Sequence, residues 1–116
     1  MLRLPLTAGF CALALAAPAV ASPERTITPI AEAERGTMVT LHGTVDRLLD
    51  EDEFRLRDET GAMRVYVGPN WVPADPGETI TVHGFVDDEP FLPRELYARQ
   101  ITRADGTVVE LSRGYE

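Results

Sequence analysis

The sequence predicts an all-β domain, a small barrel or sandwich of five or six short strands behind one short helix. Three observations carry the prediction. Apolar residues recur with period two in five separate segments after Thr37. Turn signals rich in Gly, Pro, Asp and Asn separate those segments. Finally, Thr40-Leu41-His42-Gly43-Thr44-Val45-Asp46 is echoed by Thr81-Val82-His83-Gly84-Phe85-Val86-Asp87. Two copies are too few for a solenoid. The echo instead predicts two long strands that each coil sharply at a glycine, where a small barrel turns its corner.

Taken in order, Thr28-Pro29 opens the helix, with Thr as N-cap and Pro at the first helical position. Glu32 and Glu34 follow and Gly36 stops it, so the helix has about two turns and needs a surface to pack on. Val39, Leu41, Gly43 and Val45 alternate with polar residues as a first strand. Phe54 and Leu56 alternate with Arg55 and Arg57 as a second. Asp58-Glu59-Thr60-Gly61 is a turn, after which Met63, Val65 and Val67 alternate with Arg64 and Tyr66 as the hairpin partner. Residues 68–77 hold three Pro and two Gly and form a connection. Ile80, Val82, Gly84 and Val86 make the fourth strand. Glu95 to Thr102 makes the fifth, with a slip of alternation near Gln100-Ile101 that predicts a bulge. Asp105-Gly106 turns the chain into a short edge strand over Val108, Val109 and Leu111.

Residues 1–21 read as a secretory signal. Arg3 gives a positive start, Leu4 to Ala17 an apolar run too short for a bilayer span, and Ala19-Val20-Ala21 a small-x-small cleavage site before Ser22. Phe10, preceding Cys11, fits a lipoprotein processing site poorly. The expected product is periplasmic, with an N-terminal segment over 22–36 and a barrel over 37–116. Removing the signal takes away the chain's one Cys, which excludes thiol redox chemistry and disulfides within the product. The whole chain carries 11 basic residues, all Arg, against 19 acidic ones, for −8. That balance opposes a sequence-independent nucleic-acid binder, whose affinity comes from cations placed on phosphates.

The exported character, Val39-Thr40-Leu41-His42-Gly43-Thr44-Val45, the run Glu53 to Gly61, Val65-Tyr66-Val67, Trp71 and Ile80 to Asp87, taken in that order and spacing, resemble one family. It is the bacterial OB-fold (BOF) family, the YgiW/YdeI-type periplasmic stress-tolerance proteins. The resemblance spans roughly residues 28–102. It implies a five-stranded Greek-key OB-fold barrel in a non-enzymatic periplasmic protein linked to envelope stress, with no catalytic site and no cofactor. The Pro-rich stretch after Val67, Pro90 and Pro93 depart from the family's pattern.

OB barrels bind ligands on the outer face of their second and third strands, between the loops joining strands 1–2 and 4–5. With Phe54, Leu56, Met63, Val65 and Val67 inward, that face presents Arg55, Arg57, Arg64 and Tyr66. Such a set either holds a phosphate chain or sugar by bidentate pairing and stacking, or pairs with nearby carboxylates and solubilises the sheet. Asp50, Asp52, Asp87 and Asp88, with Glu51, Glu53 and Glu89, line the two flanking loops as an acidic rim that attracts cations and repels nucleic acid. The spacing is not that of an EF-hand, and no metal is assigned.

The leading expectation is therefore a binding module for an envelope protein, a cationic peptide or a cell-wall ligand. The alternative is a single-stranded oligonucleotide-binding OB domain. An enzyme is not expected, since outside the signal the only serines are Ser22 and Ser112, near the ends, and neither His sits in a nucleophile motif. His42 and His83 fall at equivalent echo positions, either as separate solvated side chains or as a weak metal or pH-sensitive pair. Trp71 is expected to plug the barrel's open end.

Overall fold

The computed structural model describes residues 25–111; the expected signal over residues 1–21, Cys11, Ser22 and Ser112 lie outside that range. Six strands follow one another: β1 (Met38–Asp50), β2 (Glu53–Asp58), β3 (Gly61–Tyr66), β4 (Thr79–Val86), β5 (Glu95–Thr102) and β6 (Val108–Glu110). They lie in the order β3-β2-β1-β4-β5-β6, and a parallel pairing of β3 with β5 closes the first five into a barrel. This is the OB-fold arrangement, with β6 added at the edge.

The alternation in the sequence places the core. Phe54, Leu56, Met63, Val65 and Val67 all face inward and are buried, as are Leu41, Val45, Ile80, Val82, Val86, Leu96 and Ile101. β1 is long enough to serve two neighbours. Its first half, Met38 to Thr44, pairs with β4 and its second half, from Thr44, with β2. The exchange of partners happens at Gly43-Thr44, beside the echoed glycine. A Cβ on Gly43 would sit 2.3 Å from the Arg57 carbonyl oxygen, and one on Gly84 would sit 2.3 Å from that of Tyr97. Both echo glycines are thus corners where a neighbouring backbone passes too close for any side chain.

The N-terminal helix is shorter than expected. It is a single 3-10 turn, Ile30–Glu32, after which the chain is extended at Ala33. Thr28 does not cap it, because its N–H donates to the Thr40 carbonyl and holds the chain in extended pairing with β1. The turn is tied down from a distance instead. The Asp58 carboxylate accepts from the Ile30 N–H at 3.0 Å, and Thr60 Oγ1 accepts from the Ala31 N–H at 3.0 Å. Burial opposes the charge of Asp58, but hydrogen bonds from the Thr60 hydroxyl and the Ile30, Thr60 and Gly61 N–H groups outweigh it and hold the carboxyl below its usual range. So anchored, Ile30 is fully buried in the core.

Trp71 does not plug the barrel. Its ring is 75% exposed, while Val72 and Ala74 take the inward positions of the connection. The Val72 N–H donates to the Glu51 carbonyl and pins the connection in that register, with residue 72 in and residue 71 out. The bulge in β5 falls one residue earlier than the expected Gln100-Ile101. His83 opposes Gln100 and Gly84 opposes Ala98, which leaves Arg99 as the extra residue.

A bidentate ion pair fastens the far end of the same connection. Arg103 donates from Nε and Nη2 to the two Glu78 oxygens at 3.0 and 2.8 Å, and Glu78 also accepts from the Asp75 and Ala104 N–H groups. The Arg103 bonds, against the cost of burial and with help from those N–H groups, bring the Glu78 carboxyl down to about 2. A carboxyl depressed on folding stabilises above its unfolded value and loses that contribution as pH falls. Glu78→Gln is expected to cost about 1–2 kcal/mol at neutral pH. The gap between variant and wild type should close as both are melted at pH values falling toward 2; a gap independent of pH counts against the ion pair.

Candidate functional site

Three arginines stand in one row across the outer face of the barrel. Arg47 of β1 is the register partner of Arg55 of β2, and Arg55 is the partner of Arg64 of β3. Like charges set directly opposite each other on a sheet are destabilising, so the row opposes the stability of the fold that carries it. A β-bulge makes it. Val45 opposes Leu56 and Arg47 opposes Arg55, so Asp46 is an extra residue between them. Strict alternation would have turned Arg47 inward; the bulge puts both Asp46 and Arg47 outside.

Asp46 occupies the space between two of the guanidinium groups, 3.4 Å from Arg55 Nε and 3.3 Å from Arg57 Nε. These are exposed contacts of small energetic weight. Arg47 has no ion pair among the described residues. A hollow of about 390 Å³ opens over the row, lined by Arg47, Arg55, Arg64 and Arg94 with Leu49, Ala62, Met63 and Pro93. Arg94 is fixed at its margin by donating from Nη1 to the carbonyls of Ile30 and Ala33. Four guanidinium groups around one hollow, on so acidic a chain, form an anion-binding surface in chemical terms.

The row ends in a carboxyl pair. Arg64 is the register partner of Glu95 through the parallel β3–β5 pairing, and Glu53 is the partner of Tyr66 one row below. Burial first, then a hydrogen bond and charge repulsion from Glu53, push Glu95 up to about 7; Arg64 pulls it down and Asp87 adds to the rise. As the acid, Glu95 shares a hydrogen bond with the Glu53 side chain. Glu95 ionises at lower pH in the unfolded chain, so its contribution favours folding at acidic pH and is lost as pH rises through about 7. Beside the pair, Tyr66 and Tyr97 meet edge to face with ring centroids 5.9 Å apart.

The structure thus brings Arg55, Arg64 and Tyr66 onto one face, with Arg57 alongside but outside the lining of the hollow. Sequence reasoning missed Arg47, Arg94 and Glu95. Arg47 was hidden by the bulge. Arg94 and Glu95 reach the face through the barrel closure, which has no local signal. Of the acidic loop residues, Asp87 lies close enough to act on Glu95. Asp50 and Asp52 sit at the β1–β2 turn, where the Asp50 carboxylate accepts from the Glu51 N–H. Asp88 lies beside Gly36. Trp71 borders a separate hollow of about 290 Å³ with Leu48, Leu49, Glu51 and Val72.

His42 and His83 do not face each other. Each has a threonine as its register partner, Thr81 and Thr40, and each bonds that hydroxyl through Nδ1 at 2.9 Å. Burial first, and then the charges of Arg25 and Arg99, hold His83 below the usual imidazole range. Among the described residues no three His, Cys, Asp or Glu side chains converge to hold a metal ion.

Comparisons with known proteins agree with the fold. Residues 17–103 match the family model described as bacterial OB fold (BOF) protein. An uncharacterized protein of Haemophilus influenzae is 29% identical over 93 residues, covering 78% of this chain and 74% of the relative. The solved structure of the hypothetical protein ygiW from E. coli superposes with a TM-score of 0.59 at 24% identity, covering 71% of this chain and 94% of that one.

Proposed function

The chain belongs to the bacterial OB fold (BOF) family, and on that premise we propose that it is a non-enzymatic binding module of the cell envelope. In this reading residues 1–21 export it to the periplasm, it serves tolerance of envelope stress, and its β2–β3 face holds an anionic, envelope- or wall-derived ligand. The single observation that carries the ligand class is the row Arg47–Arg55–Arg64, whose like charges repel and are relieved when an anion lies across them. The Glu53–Glu95 pair argues for binding rather than acid–base hydrolysis of glycosides. Its carboxyls bond each other, whereas that chemistry needs a gap of about 5 Å or more. Nucleic acid is opposed by the net charge and by the two tyrosines, which are engaged with each other rather than spread as a stacking platform.

A second reading rests on a different observation. The exposed Trp71 ring beside Leu48, Val72 and Glu51 offers an apolar and acidic surface to an envelope protein or cationic peptide.

The test is an amide NMR titration at low salt with an acidic wall fragment, a cationic peptide and single-stranded DNA in turn. Shifts at residues 47, 55, 64 and 94 with the wall fragment are expected; shifts confined to Trp71 and its neighbours with peptide favour the second reading, and DNA shifts along the row favour the oligonucleotide alternative. Arg47→Gln should separate function from stability. It is expected to raise stability by about 0.2–1 kcal/mol by removing a like-charge neighbour, while weakening anion binding several-fold. Loss of both together would mean that Arg47 is structural.

A further inference from the structure

Resting on that reading of the β2–β3 face, we propose that the group held there is a phosphoryl group and that Glu95 receives it as the protonated acid, so that binding takes up a proton. The row supplies three guanidinium forks at successive strand positions, spanning roughly 10 Å from Arg47 to Arg64. A planar carboxylate has two oxygens and is satisfied by one fork. A phosphoryl group presents three oxygens in a tetrahedron and carries close to two charges, and so engages donors arriving from several directions. Glu95 is the fourth member of the row, directly across from Arg64. Glu95 stands outside the lining of the hollow but between two residues that line it, its register partner Arg64 and its chain neighbour Arg94, so a ligand seated on Arg64 is within reach of its carboxyl. Ionised, that carboxyl repels the ligand and holds part of the Arg64 charge to itself. Protonated, it turns its O–H from Glu53 to a phosphoryl oxygen, one hydrogen bond replacing the other, and releases Arg64.

The surroundings of Glu95 favour the acid form. Glu53 of β2 shares a hydrogen bond with it, and Asp87, after β4, adds negative charge. Only Arg64 of β3 opposes them with a positive one. Arg94, its chain neighbour, is bound to the carbonyls of Ile30 and Ala33, while Tyr66 and Tyr97 lie in the next row of the face. Burial acts in the same direction as Glu53 and places the transition at about 7. An anion arriving beside this group raises it further, and that rise is the proton uptake seen from the other side of the linkage.

The test uses the protein purified after export. Inorganic pyrophosphate, citrate, and phosphatidylcholine vesicles with or without phosphatidic acid are titrated calorimetrically at low salt at pH 6 and pH 8. Wild type is compared with Glu95→Gln, the variant being checked for an unchanged amide spectrum. Running each titration in two buffers of different ionisation enthalpy counts the protons. Pyrophosphate or phosphatidic acid vesicles should bind wild type about tenfold more tightly at pH 6 than at pH 8, with a proton taken up at pH 8, where Glu95 of the free protein is ionised. Glu95→Gln, whose amide stands in for the neutral acid, should keep its affinity at pH 8. Binding confined to pyrophosphate identifies a free phosphorylated ligand, and binding confined to the charged vesicles a lipid headgroup; either supports the proposal.

Equal pH dependence in wild type and variant overturns the role of Glu95 and leaves the anion-binding face standing. Binding of citrate but of neither phosphoryl probe overturns the phosphoryl assignment and again leaves the face standing. No binding of any anion by either protein, at either pH, overturns both the proposal and the reading on which it rests.

Discussion

Gly84→Ala is expected to cost about 3 kcal/mol or more, a large share of the roughly 5–15 kcal/mol by which a small domain is stable. The added methyl would lie 2.3 Å from the Tyr97 carbonyl oxygen and 3.0 Å from the Ala98 Cα, and all of that is backbone. A flexible side chain would swing aside, but a ladder of hydrogen bonds does not. The clash sits next to the Arg99 bulge, where β4 and β5 have already lost one step of register, so relief would have to travel along the whole pairing. Gly43→Ala meets the same geometry on the neighbouring strand β1, with its methyl 2.3 Å from the Arg57 carbonyl oxygen. Two methyls at the two echo positions should give similar losses in urea or thermal melts. Gly77→Ala is the instructive contrast. Its positive φ of 88° strains an alanine, yet nothing lies within 4 Å of the new Cβ, so its cost should be the smaller, about 1 kcal/mol. A mild effect at Gly84 would mean that the barrel corner relaxes more easily than this packing implies.

Those two glycines also mark how much of the molecule could be read without coordinates. The echo they belong to announced a corner in each of two strands, and the corners are there, because a period-two strand interrupted by glycine has few other physical uses. The inward and outward sets of β2 and β3 were equally legible. Phe54, Leu56, Met63 and Val65 are buried and Arg55 and Arg64 exposed, as alternation on a half-buried sheet requires. Legibility ended wherever the answer depended on contacts distant in sequence. Arg47 has the wrong parity for the outer face until Asp46 bulges, and a bulge in β1 is decided by its pairing with β2 rather than by its own residues. Glu95 looks like an ordinary solvated carboxylate until the parallel β3–β5 closure sets it opposite Arg64 and against Glu53. The Thr28-Pro29 signal was a sound local cue for a helix, but the Thr28 N–H is taken by the Thr40 carbonyl, and only one 3-10 turn survives.

That surviving turn leads to the second large effect. Ile30→Ala is expected to cost about 2–5 kcal/mol. Ile30 is fully buried in the core although it belongs to a three-residue element, so its side chain, and not the turn's own hydrogen bonds, holds the N-terminal segment against the barrel. Its backbone is equally committed, with the N–H on the Asp58 carboxylate and the carbonyl on Arg94. Truncating the side chain leaves a cavity beside β3 that so short an element cannot fill by shifting, because both of its ends are tied to other strands. The loss should therefore fall toward the upper part of that range. The effect should also reach the candidate site. Arg94 borders the arginine hollow and is oriented by the Ile30 and Ala33 carbonyls, so a loosened turn frees its guanidinium. Native-state hydrogen exchange of Ile30→Ala should show faster exchange at residues 30–33 and 58–61 before the remaining strands respond. Anion affinity should fall even at temperatures where the variant is fully folded. Ile27→Ala serves as the reference, since Ile27 is 47% exposed and its truncation should change stability by no more than about 0.5 kcal/mol. Equal losses at the two positions would show that the segment is held by general apolar contact, and the assignment of Ile30 as the side chain that holds it would have to be given up.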